Sequence, residues 1–204
     1  MPGQPLTTDA FVLLKRPPAD TFQTLTIFSP SHGTLIALQR LPKKSAATAV
    51  TLDIFDEVSL YLESANQGQT WFIKEPRLLT RHAGLGRDYE TLRHTSALTT
   101  FVARNPVPEE SRARVYTLLR DAFAAFALST RPDIVYFKSL YRLARDEGHP
   151  VKQQWFPTLT AADRGTVAEL LNQPLASQTA DAQTVARFQR RLEDYLREHT
   201  EILP

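Results

Sequence analysis

The chain of 204 residues contains no cysteine. That single absence excludes disulfides, zinc ribbons, iron–sulfur clusters and thiol catalysis, and it agrees with a reducing cytoplasm. No apolar run approaches the ~18 residues of a membrane span, and the opening decapeptide MPGQPLTTDA has neither the basic nor the apolar region of a secretory signal. A cytoplasmic protein that does not enter the membrane is expected. Charge of one sign is barely in excess: 24 Lys and Arg stand against 22 Asp and Glu, a net charge of +2. Such a balance does not argue for a polyanionic partner by itself, so any electrostatic argument rests on clustering. Signatures of catalysis are missing too. There is no G-x-S-x-G, P-loop or G-x-G-x-x-G; Gly84-Leu85-Gly86 lacks the third glycine and reads as a hinge. The histidines 32, 82, 94, 149 and 199 have no metal-ligand spacing. Alternation sets Asp53 and Asp56 on opposite faces of a strand, which leaves no carboxylate cluster for a metal. The expectation is no enzyme and no cofactor.

What is present suits a globular protein: 42% of residues are hydrophobic and 23% charged, and the length allows one large or two small domains. The stretch from Phe22 to Lys44 organises the first half. Leu25 and Ile27 share one face and Thr24 and Thr26 the other, the period of a half-buried strand. Ser29-Pro30-Ser31-His32-Gly33 is a turn, with Gly33 supplying a positive φ, and Thr34 to Arg40 returns antiparallel. A strand over Phe11 to Arg16, stopped by Pro17-Pro18, precedes them. Val50, Leu52, Ile54, Val58, Leu60 and Leu62 share one parity, which predicts a long strand bent near Phe55-Asp56-Glu57. Thr70 to Lys74, ending at Pro76, completes five strands, the pattern of a small barrel.

Beyond about Arg81 the pattern turns helical. Helices are expected over Asp88 to Arg104, from Pro108 through Phe126, after the cap signal Thr130-Arg131-Pro132-Asp133 to Gly148, after Thr160-Ala161-Ala162-Asp163, and from Asp181 onward. The fold class is thus α+β, with a barrel over residues 1–82 and an all-helical domain over 83–204.

Cations gather at strand ends: Lys15 and Arg16, then Arg40, Lys43 and Lys44, then Lys74, Arg77 and Arg81. In a small barrel such ends converge on a rim, and oligonucleotides bind barrels along a basic groove with bases stacked on aromatics. Phe22, Phe28, Phe55, Trp71 and Phe72 are the stacking candidates, although small barrels also need large side chains inside.

The run FVLLKRPPADTFQTLTIFSPSHGTLIALQRLPKKS resembles the start of the bacterial recombination mediator RecO family. In that family a strand ending in basic residues (here Lys15-Arg16) leads to an alternating strand, a glycine turn (Gly33), another strand and a basic loop closing on serine (Lys43-Lys44-Ser45). The similarity continues through VSLYLE, YFKSLYRLARDEGHPV and LEDYLREH. It implies an N-terminal OB-fold before a helical domain, a cytoplasmic, nucleoid-associated place, and no enzymatic activity. It also implies binding of single- and double-stranded DNA, annealing of complementary strands, help in RecA loading, and contacts with RecR and the acidic tail of the single-stranded-DNA-binding protein. Two departures stand out. The family's four-cysteine zinc module is replaced by the short connector His149 to Pro157, which implies a zinc-less member. Val135-Tyr136 stand where the family tends to place arginines, leaving Arg131, Lys138 and Arg142, around an apolar groove of Phe137 and Tyr141, to receive an acidic peptide.

Two other readings compete. Over the first 80 residues seven basic side chains meet seven acidic ones, which favours a protein-interaction adaptor with a degenerate barrel and a peptide-docking helical domain. An RNA-binding barrel is the third, to be distinguished by preference for the ribose 2′-OH.

Overall fold

Strand alternation, the strongest local signal in the first half, determines which side chains fill the core of the computed structural model, which describes residues 5–19, 21–41, 50–65 and 68–203. The strands are β1 (Pro5–Lys15), β2 (Phe22–Ser29), β3 (Gly33–Arg40), β4 (Glu57–Ala65) and β5 (Thr70–Thr80). They close into a barrel in the order β1-β2-β3-β5-β4, with β1 also pairing β4. All pairings are antiparallel except β3 with β5, which is parallel through Ala37 to Gln39 against Trp71 to Ile73. Ala10, Val12, Leu25, Ile27, Ala37, Val58, Leu60, Leu62 and Ile73 point inward and form one apolar cluster. Leu25, Ile27, Val58, Leu60 and Leu62 come from the parity that the alternation predicts.

Three differences from the sequence expectation have local causes. β1 starts at Pro5 rather than Phe11, because its first seven residues pair with Glu63 to Glu57 of β4. Val50 to Ile54 is not a strand. Phe55 turns the chain with φ of 70°, held by its amide donating to Val12 O at 2.8 Å while the Val12 amide donates to Asp56 O at 2.9 Å. Leu52 keeps its predicted inward side and is fully buried in the barrel cluster. Finally, β5 runs through Pro76 to Thr80. Its pairing with β3 ends at Ile73, so Pro76 sits on a strand edge, where its missing N–H breaks no ladder bond.

Contacts divide the chain into two compact units, Met1–His82 with Val102–Thr117, and Ala83–Phe101 with Leu118–Pro204. The first unit therefore takes in a stretch from the helical half. There the Tyr116 ring packs on Phe11 with centroids 4.7 Å apart and planes tilted by 39°, and Phe11 lies opposite Phe28 in the β1–β2 ladder.

The helices are α1 (Tyr89–Arg104), α2 (Arg112–Leu128), α3 (Pro132–Asp146), α4 (Ala161–Asn172) and α5 (Ala182–His199). Side-chain caps start three of them: Asp88 accepts from the Thr91 amide at 2.8 Å, Thr160 from Asp163 at 3.1 Å and Asp181 from Thr184 at 2.9 Å. α3 instead opens on Pro132 without a side-chain cap, Arg131 standing where the cap would be. Within the second unit, α3 is buried from Ile134 through Phe137 and again at Leu140, Tyr141, Leu143 and Ala144, while α5 contributes Val185, Phe188, Leu192, Tyr195 and Leu196. The expected connector after Gly148 is structured: Val151–Trp155 forms a π-helical turn and buries Val151 and Trp155. Among the described residues no helix is long and apolar enough to cross a membrane.

Candidate nucleic-acid interface

The eight cations assigned to the barrel rim fall into three groups. Lys43 and Lys44 lie outside the described residues. Three others are held by carboxylates. Lys15 Nζ lies 3.2 Å from Asp53 Oδ1 and donates to Leu52 O at 3.4 Å. Lys74 Nζ is 2.8 Å from Glu63 Oε2. Arg81 donates Nε to Asp56 Oδ1 at 2.8 Å and Nη2 to Thr51 O at 3.0 Å. Since Asp56 is 1% exposed and also accepts from the Asp53 amide at 2.8 Å, Arg81 is chiefly the counter-charge of a buried carboxylate. That hydrogen bond to Asp56 raises the Arg81 pKa further above its ordinary value.

Arg16, Arg40 and Arg77 remain. All three are exposed, and among the described residues none has a carboxylate within ion-pair distance. Arg16 leaves β1 with its amide donating to Thr24 O at 3.0 Å, and Arg40 faces Phe22 across the β2–β3 ladder. These two therefore flank the entry of β2. Arg77 lies apart, opposite Ser59 on β5.

The aromatics separate by burial. Phe28 and Phe55 are buried, Phe28 on the same strand parity as Phe22, and Trp71 packs against the barrel core. Phe22 and Phe72 alternate with inward residues, so they stand on the outer face, half-buried, with ring centroids 5.5 Å apart. Phe72 is the register partner of Leu38. Two residues further along the same outer faces come Arg40 and Lys74. An apolar outer strip with cations beside it is thus assembled from three strands. The sequence includes both rings among its candidates but has no local signal separating them from Phe28 and Phe55, which are buried, and Trp71, which packs on the core.

In the second unit, the residues assigned to peptide binding separate in the same way. Lys138, Tyr141 and Arg142 line a pocket of about 600 Å³. Phe137 does not line it: the ring is fully buried, 6.5 Å from Trp155. Arg131 is turned to Asp133, with Nη2 to Oδ2 at 2.8 Å. The pocket walls include apolar Leu118, Ala122, Val135, Phe156, Leu171 and Leu175, and two cations the sequence reading did not single out, Arg145 and Lys152. Arg145 follows Arg142 by one helical turn and was detectable on that ground; Lys152 comes from the structured connector and was not. Asp121 is the carboxylate of the lining, 3.1 Å from Arg142 Nη1. Lys138 donates to Gln173 O at 2.8 Å, and burial lowers its pKa from the ordinary lysine value.

Among the described residues no group of three or more His, Asp or Glu side chains is placed to hold a metal ion. Comparison with protein-family models and with curated proteins finds no match.

Proposed function

We propose that the barrel is an OB-fold and that the protein is a RecO-like, non-enzymatic mediator of recombinational repair in the cytoplasm, binding single- and double-stranded DNA and annealing complementary strands. The observation that carries the reading is the pair of cations that have no carboxylate partner among the described residues, Arg16 and Arg40, on either side of Phe22 at one end of the barrel. Strand order adds support, since a five-stranded barrel closed by a parallel β3–β5 contact is an architecture used for oligonucleotide binding. Annealing requires no bond chemistry. It requires cations that neutralise two phosphate backbones so that the strands can approach.

The test is fluorescence anisotropy of a labelled ~30-nucleotide single strand at several salt concentrations, where log K should fall by about 0.7 per log unit of salt for each phosphate neutralised. The expected result is salt-sensitive binding whose slope drops in R16A and R40A, and annealing that weakens in parallel. No binding at low salt, or an undiminished slope in the double variant R16A/R40A, overturns it.

A second reading concerns the pocket between α2, α3 and α4. An apolar cavity ringed by Lys138, Arg142, Arg145 and Lys152 suits a short acidic peptide with an apolar end, such as the tail of the single-stranded-DNA-binding protein, with RecR as the other proposed partner. Fluorescence polarisation with a labelled acidic nonapeptide checks it: binding lost in Lys138→Ala supports the pocket, and equal binding by both proteins removes it.

A further inference from the structure

The outer face of a barrel strand ordinarily presents polar side chains to water, because the inner face already supplies the core. Here it does not. The core is filled by Leu25, Ile27, Ala37 and Ile73 together with their neighbours on β1 and β4, yet Phe22 and Phe72 occupy outward positions with their rings 5.5 Å apart and tilted by 51°. Leu38, between them in the ladder, is half-buried and faces outward too. Resting on the nucleic-acid reading of the barrel, we infer that this ring pair is a stacking platform for unpaired bases, and that it makes the barrel prefer single strands to duplex.

Charge placement selects the occupant. Arg40 is the ladder partner of Phe22 and has no carboxylate partner among the described residues, whereas Lys74, two residues beyond Phe72, is ion-paired at 2.8 Å with Glu63, the ladder partner of Phe72. The cation left to meet a ligand beside the rings is therefore Arg40 on β3. An apolar peptide would gain nothing from it, and a duplex keeps its base faces inside. A single strand offers both a backbone for Arg40 and free π-faces for the rings, without dependence on base identity. Trp71 takes no part, because its ring packs against the barrel core.

The experiment separates bases from phosphates. Binding of wild type, F22L and F72L is measured on a ~30-nucleotide oligothymidylate, on an abasic strand of equal length and on a duplex. The same series on oligouridylate separates DNA from RNA as the strand. Leucine keeps apolar bulk while removing the ring face, and Phe72→Tyr restores the face. The expected outcome is a loss of roughly 5- to 100-fold for each leucine variant on the base-bearing strand, no change on the abasic strand or the duplex, and recovery in F72Y. Wild-type binding that the leucine variants leave intact overturns the platform while the DNA-binding reading stands. Absence of wild-type binding to any strand overturns both.

Discussion

The hydroxyl of Tyr116 donates to Glu57 Oε1 at 3.0 Å, joining two side chains that are each 5% exposed and lie 59 residues apart. The same tyrosine ring rests on Phe11, so one residue satisfies a buried carboxylate and covers an aromatic of β1. Replacing Tyr116 by Phe keeps the ring contact and removes the donor. The expected cost is about 1.5–3 kcal/mol, the range for a hydrogen bond to a charged group, read as a lower urea midpoint with unchanged m. Wild-type stability in Tyr116→Phe would show that other partners of Glu57 suffice.

Two glycines are required for different reasons, and their substitutions should behave differently from a third. Gly33 has φ of +69°, and a Cβ there would lie 3.0 Å from Arg112 Nε. Arg112 is not free to swing away, since it donates to Ser31 O at 3.0 Å across the β2–β3 turn. Gly33→Ala should cost about 1–2 kcal/mol from the left-handed backbone alone. At Gly84 a Cβ would come within 2.7 Å of the Ala127 carbonyl oxygen, and backbone gives way less readily than a side chain. Gly84→Ala is expected to cost about 1–3 kcal/mol through overpacking. Nothing lies within 4 Å at Gly86, so Gly86→Ala is the neutral control. Thermal melts of the three variants check the order.

His94 gives the second unit a pH dependence. It is 3% exposed, with Arg93 Nη2 2.9 Å from Nε2, Glu90 Oε2 at 3.6 Å and the Tyr136 ring centroid at 5.7 Å. Burial, reinforced by Arg93 and opposed by Glu90 and Asp133, lowers its pKa from the ordinary 6.5. Above that value the ring is neutral in both folded and unfolded chains, and stability does not depend on it. Below it the unfolded chain takes the proton first. Stability should therefore fall with decreasing pH, at up to about 1.4 kcal/mol per unit for this group. Urea titrations between pH 7.5 and 5 should show that slope in wild type and a smaller one in His94→Gln. Parallel slopes would assign the acid sensitivity elsewhere.

The strands and most helix starts were legible in the sequence because alternation and capping are local. Leu25 and Ile27 reveal their face within four residues, and Thr160 and Asp181 their caps within three. The site was less legible because its decisive relationships are long-range. Lys15 and Asp53 are 38 residues apart, Arg81 and Asp56 are 25 apart, and no periodicity signals that either cation already has a partner. For the same reason Phe22 and Phe72 looked like any other barrel aromatics until closure through β3 set them side by side. Trp155 was missed for a different reason: its π-helical turn follows a glycine and a proline, which by themselves mark a loop.

The division of the cations leads to the prediction that distinguishes structural from binding roles within one set of residues. Arg81 and Arg40 look equivalent in sequence, each at a strand end with other cations nearby. Arg81 balances Asp56, whose side chain is 2% exposed, while its own is 48% exposed. Removing a partner from a fully buried pair costs about 3–5 kcal/mol, and the solvent reaching Arg81 should reduce that to about 1–3 kcal/mol. Arg40 has no carboxylate among the described residues, so Arg40→Ala should leave stability within about 0.5 kcal/mol of wild type, as for an ordinary surface substitution. Binding should order the two the other way. Arg40→Ala removes a cation free to meet phosphate and lowers the salt slope, whereas Arg81→Ala, kept below its own melting range, should retain most of it. Urea melts and salt-dependent anisotropy on the same two proteins test this. A lost salt slope in Arg81→Ala with stability intact would mean that Arg81 leaves Asp56 for phosphate, and would return it to the binding surface.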